Sequence, residues 1–239
     1  MQQNQNKMSQ TVQLSEPWTE SYGTREAYKA LRTNLMFCGR DKKVIALTSC
    51  QENEGKSTLT MGLAKSLAEV GKRVLLIDAD MRKSNMQNVF TEGGEYLGLS
   101  QYLSGQAEWR EALCVTQYPN LHVMFCGYYP PNPVELLENS RFRNMVSDAR
   151  AEYDYVLIDT PPIGAVIDAA VIARACDGTI MVIAINKVSA KLARACKAQL
   201  GKSGCPLLGA ILNQTEKHSR AYYRGKKSYY QNVSYYSEN

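Results

Sequence analysis

The chain predicts an α/β fold, a doubly wound, mostly parallel sheet covered by helices on both faces. Three observations point there. Short apolar runs alternate with amphipathic stretches along most of the sequence. Most of those runs are apolar throughout, as strands buried on both faces are. Carboxylates and turn residues collect just after several runs, where open parallel sheets place their ligands. At 239 residues, one such domain has room for a full core.

Residues 1–20 are expected to be flexible or loosely attached, and their Gln-rich, polar start is unlike a signal peptide. Thr24 is the expected N-cap of a helix carrying Ala27, Tyr28, Leu31, Leu35 and Met36 on one face. Glu26, Lys29 and Arg32 mark its other face, which is either a solvated charged surface or a subunit contact. Residues 44–47 predict a buried strand, followed by a polar loop over 49–54 and then Gly55-Lys56-Ser57-Thr58. Leu59, Leu63, Ser66, Leu67 and Val70 repeat behind it at helical spacing, and Gly71 ends that helix. Residues 73–77 are the next strand, with Asp78-Ala79-Asp80-Met81-Arg82 at its end. Residues 83–118 are expected to be irregular or to hold short helices, and 121–125 to form a strand. The turn at Pro130-Pro131-Asn132-Pro133 leads into a helix ending near Ala151. A strand over 155–158 stops at Asp159-Thr160-Pro161-Pro162. Helix 167–175, strand 179–185, helix 190–200 and strand 207–212 complete the body.

The stretch from 44 to 58 carries the chemistry. A strand, a loop and a helix with Gly-Lys-Ser at the junction form the setting of a phosphate-binding P-loop. The amides of the loop and the first helical turn lack intrahelical acceptors, so they can cradle phosphate oxygens. Lys56 adds a mobile positive charge, and the Ser57 hydroxyl can ligate Mg²⁺. The usual pattern has glycine five residues before Gly55, where Cys50 stands here, so the Walker motif is deviant. Asn53 tolerates left-handed torsions and can supply the turn instead. The plain alternative is an ordinary strand-to-helix turn with Lys56 a solvated charge. Asp78 and Asp80 project to the same side if their strand stays extended. Asp159 ends another apolar strand, as the Mg²⁺-holding carboxylate of P-loop ATPases does. A lone strand-end Asp is more often a helix cap than a catalyst. Three beside a P-loop suit Mg-nucleotide chemistry, with one carboxylate left over as a base.

Composition excludes several classes. No window reaches 18 consecutive apolar residues, so no transmembrane helix is expected. Seven cysteines without a CxxC pair read as reduced thiols, hence a cytoplasmic protein. The net charge is +5, yet Lys217, Arg220, Arg224, Lys226 and Lys227 supply much of it against Glu216 and Glu238. The body is therefore near neutral and offers no broad nucleic-acid face.

The chain resembles the bacterial protein-tyrosine kinases of the cytoplasmic, capsule or exopolysaccharide type. The resemblance runs from about residue 20 to the end. It is carried by the runs 26–34 (EAYKALRTN), 54–58 (EGKST), 74–82 (VLLIDADMR), 98–100 (GLS), 130–137 (PPNPVELL) and 156–162 (VLIDTPP), and by a tyrosine-rich C-terminus. The Asp-x-Asp-x-Arg and Pro-Pro-Asn-Pro segments are far more specific than the P-loop.

The resemblance implies an ATP- and Mg²⁺-dependent tyrosine autokinase with a kinase domain over 21–213 and a flexible tyrosine-rich tail over 214–239. It implies nucleotide contacts from Asn53, Glu54, Gly55, Lys56, Ser57 and Thr58, with Asn213 at the adenine. Ser57, Asp80 and Asp159 are then the metal residues, Asp78 the base for an incoming tyrosine, and Arg82 a brace. Tyr222, Tyr223, Tyr229, Tyr230, Tyr235 and Tyr236 become autophosphorylation sites. Glu26, Lys29 and Arg32 fall on the family's ring-forming Glu-x-x-Arg-x-x-Arg motif, with Lys29 lacking the arginine fork. Further implied partners are a membrane-anchored polysaccharide co-polymerase-type activator, which recruits the kinase to the inner face of the membrane, and a cognate tyrosine phosphatase. The rival reading is a switch ATPase of the partition or division-site type. Those carry a signature Lys where this chain has Gln51, and a six-tyrosine tail has no role there.

Overall fold

The computed structural model describes residues 10–14, 21–90 and 96–215, so the six tail tyrosines lie outside the described residues. Its centre is three strands that read as continuous apolar runs. These are β2 (Val44–Ser49), β3 (Val74–Asp78) and β6 (Tyr155–Asp159), every residue of which is buried. Around them lie β1 (Gln10–Val12), β4 (Cys114–Thr116), β5 (Leu121–Met124), β7 (Gly178–Ala184) and β8 (Leu207–Asn213). The sheet order is β1-β4-β5-β3-β6-β2-β7-β8. All neighbours are parallel except β4 and β5.

The pleat divides the core into two layers. Ile45 and Leu47 of β2 face the layer that holds Leu63 and Leu67 of α2 (Lys56–Ala68), over which α1 (Tyr22–Phe37) packs. Val44 and Ala46 face the opposite layer, with Phe142 and Met145. Those residues belong to α5 (Ser140–Glu152), which follows α3 (Leu99–Leu103) and α4 (Pro133–Glu138). The body is completed by α6 (Asp168–Ala173) and α7 (Ala190–Gly201). The doubly wound, mostly parallel sheet expected from the sequence is the fold observed.

Five local expectations are corrected. Ser21, not Thr24, caps α1: its side chain accepts from the Thr24 amide at 3.2 Å, which makes Thr24 the third helical residue. On α1 only Leu35 is fully buried; Tyr28 and Leu31 are half-buried, and Ala27 and Met36 are exposed. The helix expected over 135–151 is two helices, because Asn139 adopts an extended backbone and its side chain accepts from the Arg141 amide. The loose N-terminal segment is anchored at residues 10–14: β1 pairs with β4, and Val12 is fully buried. β4 itself falls within the region expected to be irregular.

Candidate active site

The loop after β2 is held from inside by one buried carboxylate. Glu54 is 1% exposed, and its two oxygens accept from the Gln51 amide and, at 2.7 Å, from the Ala184 amide at the end of β7. Two ionic hydrogen bonds to backbone amides fix the loop against the sheet. Two left-handed residues then turn the chain into α2, Asn53 at φ 60° and Gly55 at φ 78°. A side chain at 55 would also place its Cβ 2.4 Å from Nδ2 of Asn213. That amide donates to the Glu54 carbonyl at 2.8 Å, so β8 braces the loop from a second side. Cys50 sits where the usual pattern has glycine, yet the left-handed turn falls at 53 and 55 instead. Its thiol is buried against Met181, and burial pushes its pKa up to about 12, which makes it a filler rather than a reactive group.

Beneath the loop, Asp159 gathers three side chains from α2. Lys56 Nζ donates to its Oδ1 at 2.7 Å, Ser57 Oγ to Oδ2 at 2.6 Å, and Thr60 Oγ1 to Oδ1 at 3.2 Å. Lys56 and Asp159 are 7% and 1% exposed at their side chains. No side chain caps α2, whose N-terminus opens into a cavity of about 250 Å³. The cavity is lined by the loop from Gln51 to Thr58, and by Asp80, Arg82, Lys83 and Asn85 across from it. Lys83 and Glu52 pair at 2.6 Å between its two walls.

Asp78 and Asp159 are register partners across β3 and β6. The expectation that Asp78 and Asp80 project together is corrected, because β3 ends at Asp78 and the chain turns. The Asp80 amide donates back to Asp78 Oδ1, and Asp80 Oδ1 in turn accepts from the amides of Arg82 and Lys83. Asp80 reaches the cavity wall, whereas Asp78 is fully buried behind it. Ser84 Oγ donates to the other oxygen of Asp78. Burial, then the nearby charge of Asp159, push the Asp78 carboxyl up to about 7, against the pull of Ser84 and Lys56. Arg82 forks onto Asp168 of α6 at 2.7 and 3.0 Å.

The charged face of α1 divides. Glu26 and Lys29 form an exposed pair at 2.7 Å, but Arg32 turns inward and donates to the Ser66 carbonyl and hydroxyl. Thr60 and Asp168 were missed by sequence reasoning. Thr60 lies one helical turn beyond Lys56, a spacing that could have signalled a shared partner. Asp168 is 86 positions from Arg82, and no sequence signal joins them.

A buried carboxylate beside a hydroxyl, below a loop at a helix N-terminus, is a set of hard oxygen donors and amides. It fits Mg²⁺ held partly by protein and partly by nucleotide phosphates. Ser57 and Asp159 would hold the ion, with Asp80 facing it across the cavity.

A family profile described as an AAA domain matches residues 42–193. The tyrosine-protein kinase CpsD of Streptococcus agalactiae serotype III (strain NEM316) is 44% identical over 199 residues, 83% of this chain and 86% of that protein. The chain belongs to the bacterial tyrosine-protein kinase family. Tyrosine-protein kinase YwqD of Bacillus subtilis (strain 168) is 38% identical and covers 84% of this chain and 86% of its own. The kinase domain of Escherichia coli tyrosine kinase ETK is 33% identical at a TM-score of 0.77, over 82% of this chain and 77% of that one. The septum site-determining protein MinD of Pyrococcus horikoshii OT3, 24% identical at a TM-score of 0.61 over 74% and 72%, shares the fold. Membership of the kinase family implies nucleotide use. Among the described residues, no helix is long and apolar enough to cross a membrane.

Proposed function

We propose that the chain transfers the γ-phosphoryl group of ATP to tyrosine hydroxyls, first of all those of its own C-terminal tail on a neighbouring copy. The observation that carries this reading is the Lys56–Asp159–Ser57 cluster under the loop, with Asp78 one strand away in register. Lys56 exchanges its carboxylate partner for the terminal phosphates, where a positive charge stabilises the developing negative charge. Asn53, Gly55 and Thr58 shape the amide cradle, and Glu54 holds that cradle from below rather than touching nucleotide. Mg²⁺, when bound, neutralises phosphate charge and aligns the transferred group. The tyrosine oxygen forms a bond to the γ-phosphorus as the bond to the β-phosphate bridging oxygen breaks. The phenolic proton passes to the Ser84 hydroxyl as that hydroxyl gives its own proton to Asp78, and ADP leaves. Asn213, whose amide holds the loop at Glu54, is the proposed adenine contact.

Each phosphate adds about −1.5 to −2 charge to a basic tail. A heavily modified tail is repelled from the carboxylates and the nucleotide, which releases it and loosens a ring held by Glu26 and Lys29. The proposed partners are a membrane-anchored co-polymerase-type activator, which brings the kinase to the inner membrane face, and a phosphatase that resets the tail. The pathway served is capsule or exopolysaccharide synthesis.

The test is intact mass after incubation with Mg-ATP, with and without a candidate activator segment. Mass added in phosphate steps at the tail is expected. ATP hydrolysis without any phosphotyrosine would sink the reading. Mixing Lys56→Met protein, tail intact, with active protein whose six tail tyrosines are Phe resolves direction. Label on the inactive copy's tail is the expected result.

A further inference from the structure

Beside the nucleotide cavity lies a second cleft, of about 470 Å³, between the turn after β3 and the turn after β5. Ser84, Asn88, Tyr128 and Tyr129 are on its walls. Asn85 lines both cavities, so the two meet there. The buried Asp78 lines neither, but Ser84, whose hydroxyl donates to it, lines the second cleft. The chemistry of the two spaces differs sharply. Lys56, Asp80, Arg82 and Lys83 make the first one ionic, whereas the second is lined by hydroxyl, amide, thiol and phenol groups without a formal charge. Tyr129 is anchored, its hydroxyl donating to the Ser84 carbonyl at 2.8 Å, and Tyr128 lies within 3.2 Å of the Ser104 hydroxyl. Both rings remain partly exposed, at 55% and 39%.

We infer that this second cleft is the acceptor subsite, holding a tyrosine side chain and its flanking peptide from the tail of a second copy. The assignment rests on the kinase reading above and adds to it the residues that recognise the acceptor. In-line transfer requires the attacking oxygen to approach the γ-phosphorus opposite the leaving group, hence from a space that joins the nucleotide cavity at its phosphate end. The junction at Asn85, next to Lys83 and Asp80, provides such an entrance. A neutral phenol enters an uncharged cleft without stripping water from an ion. Two tethered rings offer it edge or face contacts, and Asn85, Gln87 and Asn88 offer amides to the peptide backbone. The basic residues between the tail tyrosines stay outside, toward solvent.

The test uses the full chain with its six tail tyrosines changed to Phe as enzyme. A synthetic peptide of residues 219–239 serves as acceptor, with activator segment present. Tyr129→Ala and Asn88→Ala are each expected to raise the peptide KM about tenfold, with ATP affinity by calorimetry unchanged. Asn88 is exposed, so that variant does not threaten the fold. Tyr129→Phe, which keeps the ring but loses its tie to Ser84, is expected to raise the KM less than Tyr129→Ala does. If both alanine variants retain the parent KM while the peptide is labelled, the cleft is not the acceptor subsite and the kinase reading stands. If the parent leaves every tyrosine unlabelled, the kinase reading fails and takes this assignment with it.

Discussion

The two sides of the site are built on opposite plans. On the loop side, Glu54, Lys56 and Asp159 are nearly inaccessible, and each is hydrogen-bonded within the chain. On the side of the turn after β3, Lys83, Asn85, Asn88 and Tyr129 are exposed. On the reading proposed above, the difference matches what each side would recognise. A triphosphate presents the same charges every time, so a rigid cradle suits it. An acceptor segment varies around its tyrosine, and adaptable amide and phenol groups suit that.

Four experiments break or sharpen the contrast, and the largest effect belongs to the buried side. Lys56→Met is expected to lower phosphotransfer on the order of 10²–10³-fold or more, measured by phosphotyrosine formation. It also strips Asp159 of its only charged partner among the described residues, leaving hydroxyls. The thermal midpoint should therefore fall by the equivalent of about 1–3 kcal/mol, and Lys56→Met/Asp159→Asn should regain part of it. An unchanged midpoint in the single variant would show that the pair is not coupled.

Next comes the division of labour between the two strand-end carboxylates. Asp159→Asn is expected to weaken Mg-ATP binding by calorimetry about tenfold or more, because it takes charge from the proposed metal ligand. Asp78→Asn should keep the affinity and lose most transfer. Equal losses of affinity would mean that the buried position of Asp78 does not separate the roles.

A smaller effect is expected at the surface of α1. Changing Glu26 and Lys29 to Ala should lower the oligomer mass seen by light scattering at an unchanged thermal midpoint, since an exposed pair adds little stability. Arg32→Ala should instead lower the midpoint, because its guanidinium holds α1 to Ser66 of α2. Identical behaviour of both variants would return Arg32 to the assembly surface.

The smallest effect lies away from the site. His122 on β5 is hydrogen-bonded to the Tyr153 hydroxyl at 2.7 Å, and burial holds its pKa below the usual 6.5. The unfolded chain therefore binds this proton more readily than the folded one, and stability is lost as pH falls through about 6.5. Urea melts from pH 8 to 5.5 should slope more steeply for the parent than for His122→Gln. Parallel slopes would discount the histidine.

What the sequence made legible follows from range. β2, β3 and β6 could be read because burial on both faces leaves an uninterrupted apolar run. β1 and β4 could not, since three residues such as Gln10-Thr11-Val12 carry no periodicity, and only their pairing makes them strands. The break at Asn139 was hidden because Asn-Ser also occurs within helices, and capping depends on the backbone around it. At the site, Lys56 and Ser57 were legible because a P-loop is a local object. The hold of Glu54 on Ala184 spans 130 positions, and that of Arg82 on Asp168 spans 86. Long-range partners of this kind are chosen by the fold, and nothing near Glu54 or Arg82 in the chain announces them.

The double bracing of the loop, by Glu54 from β7 and Asn213 from β8, has a kinetic consequence. A loop tied at both ends to finished strands has already given up its freedom when the chain folds. On the proposed reading, nucleotide would meet a backbone cradle that needs no further ordering, and only Lys56 would have to change partner. The same ties join the cradle to β8, the strand from which the tail departs. Tension on the tail would act first on Gln214, whose amide donates to the Asn53 carbonyl, and next on Asn213, which holds the carbonyl of Glu54. A pull at one end of the chain is thereby a pull on the phosphate cradle itself.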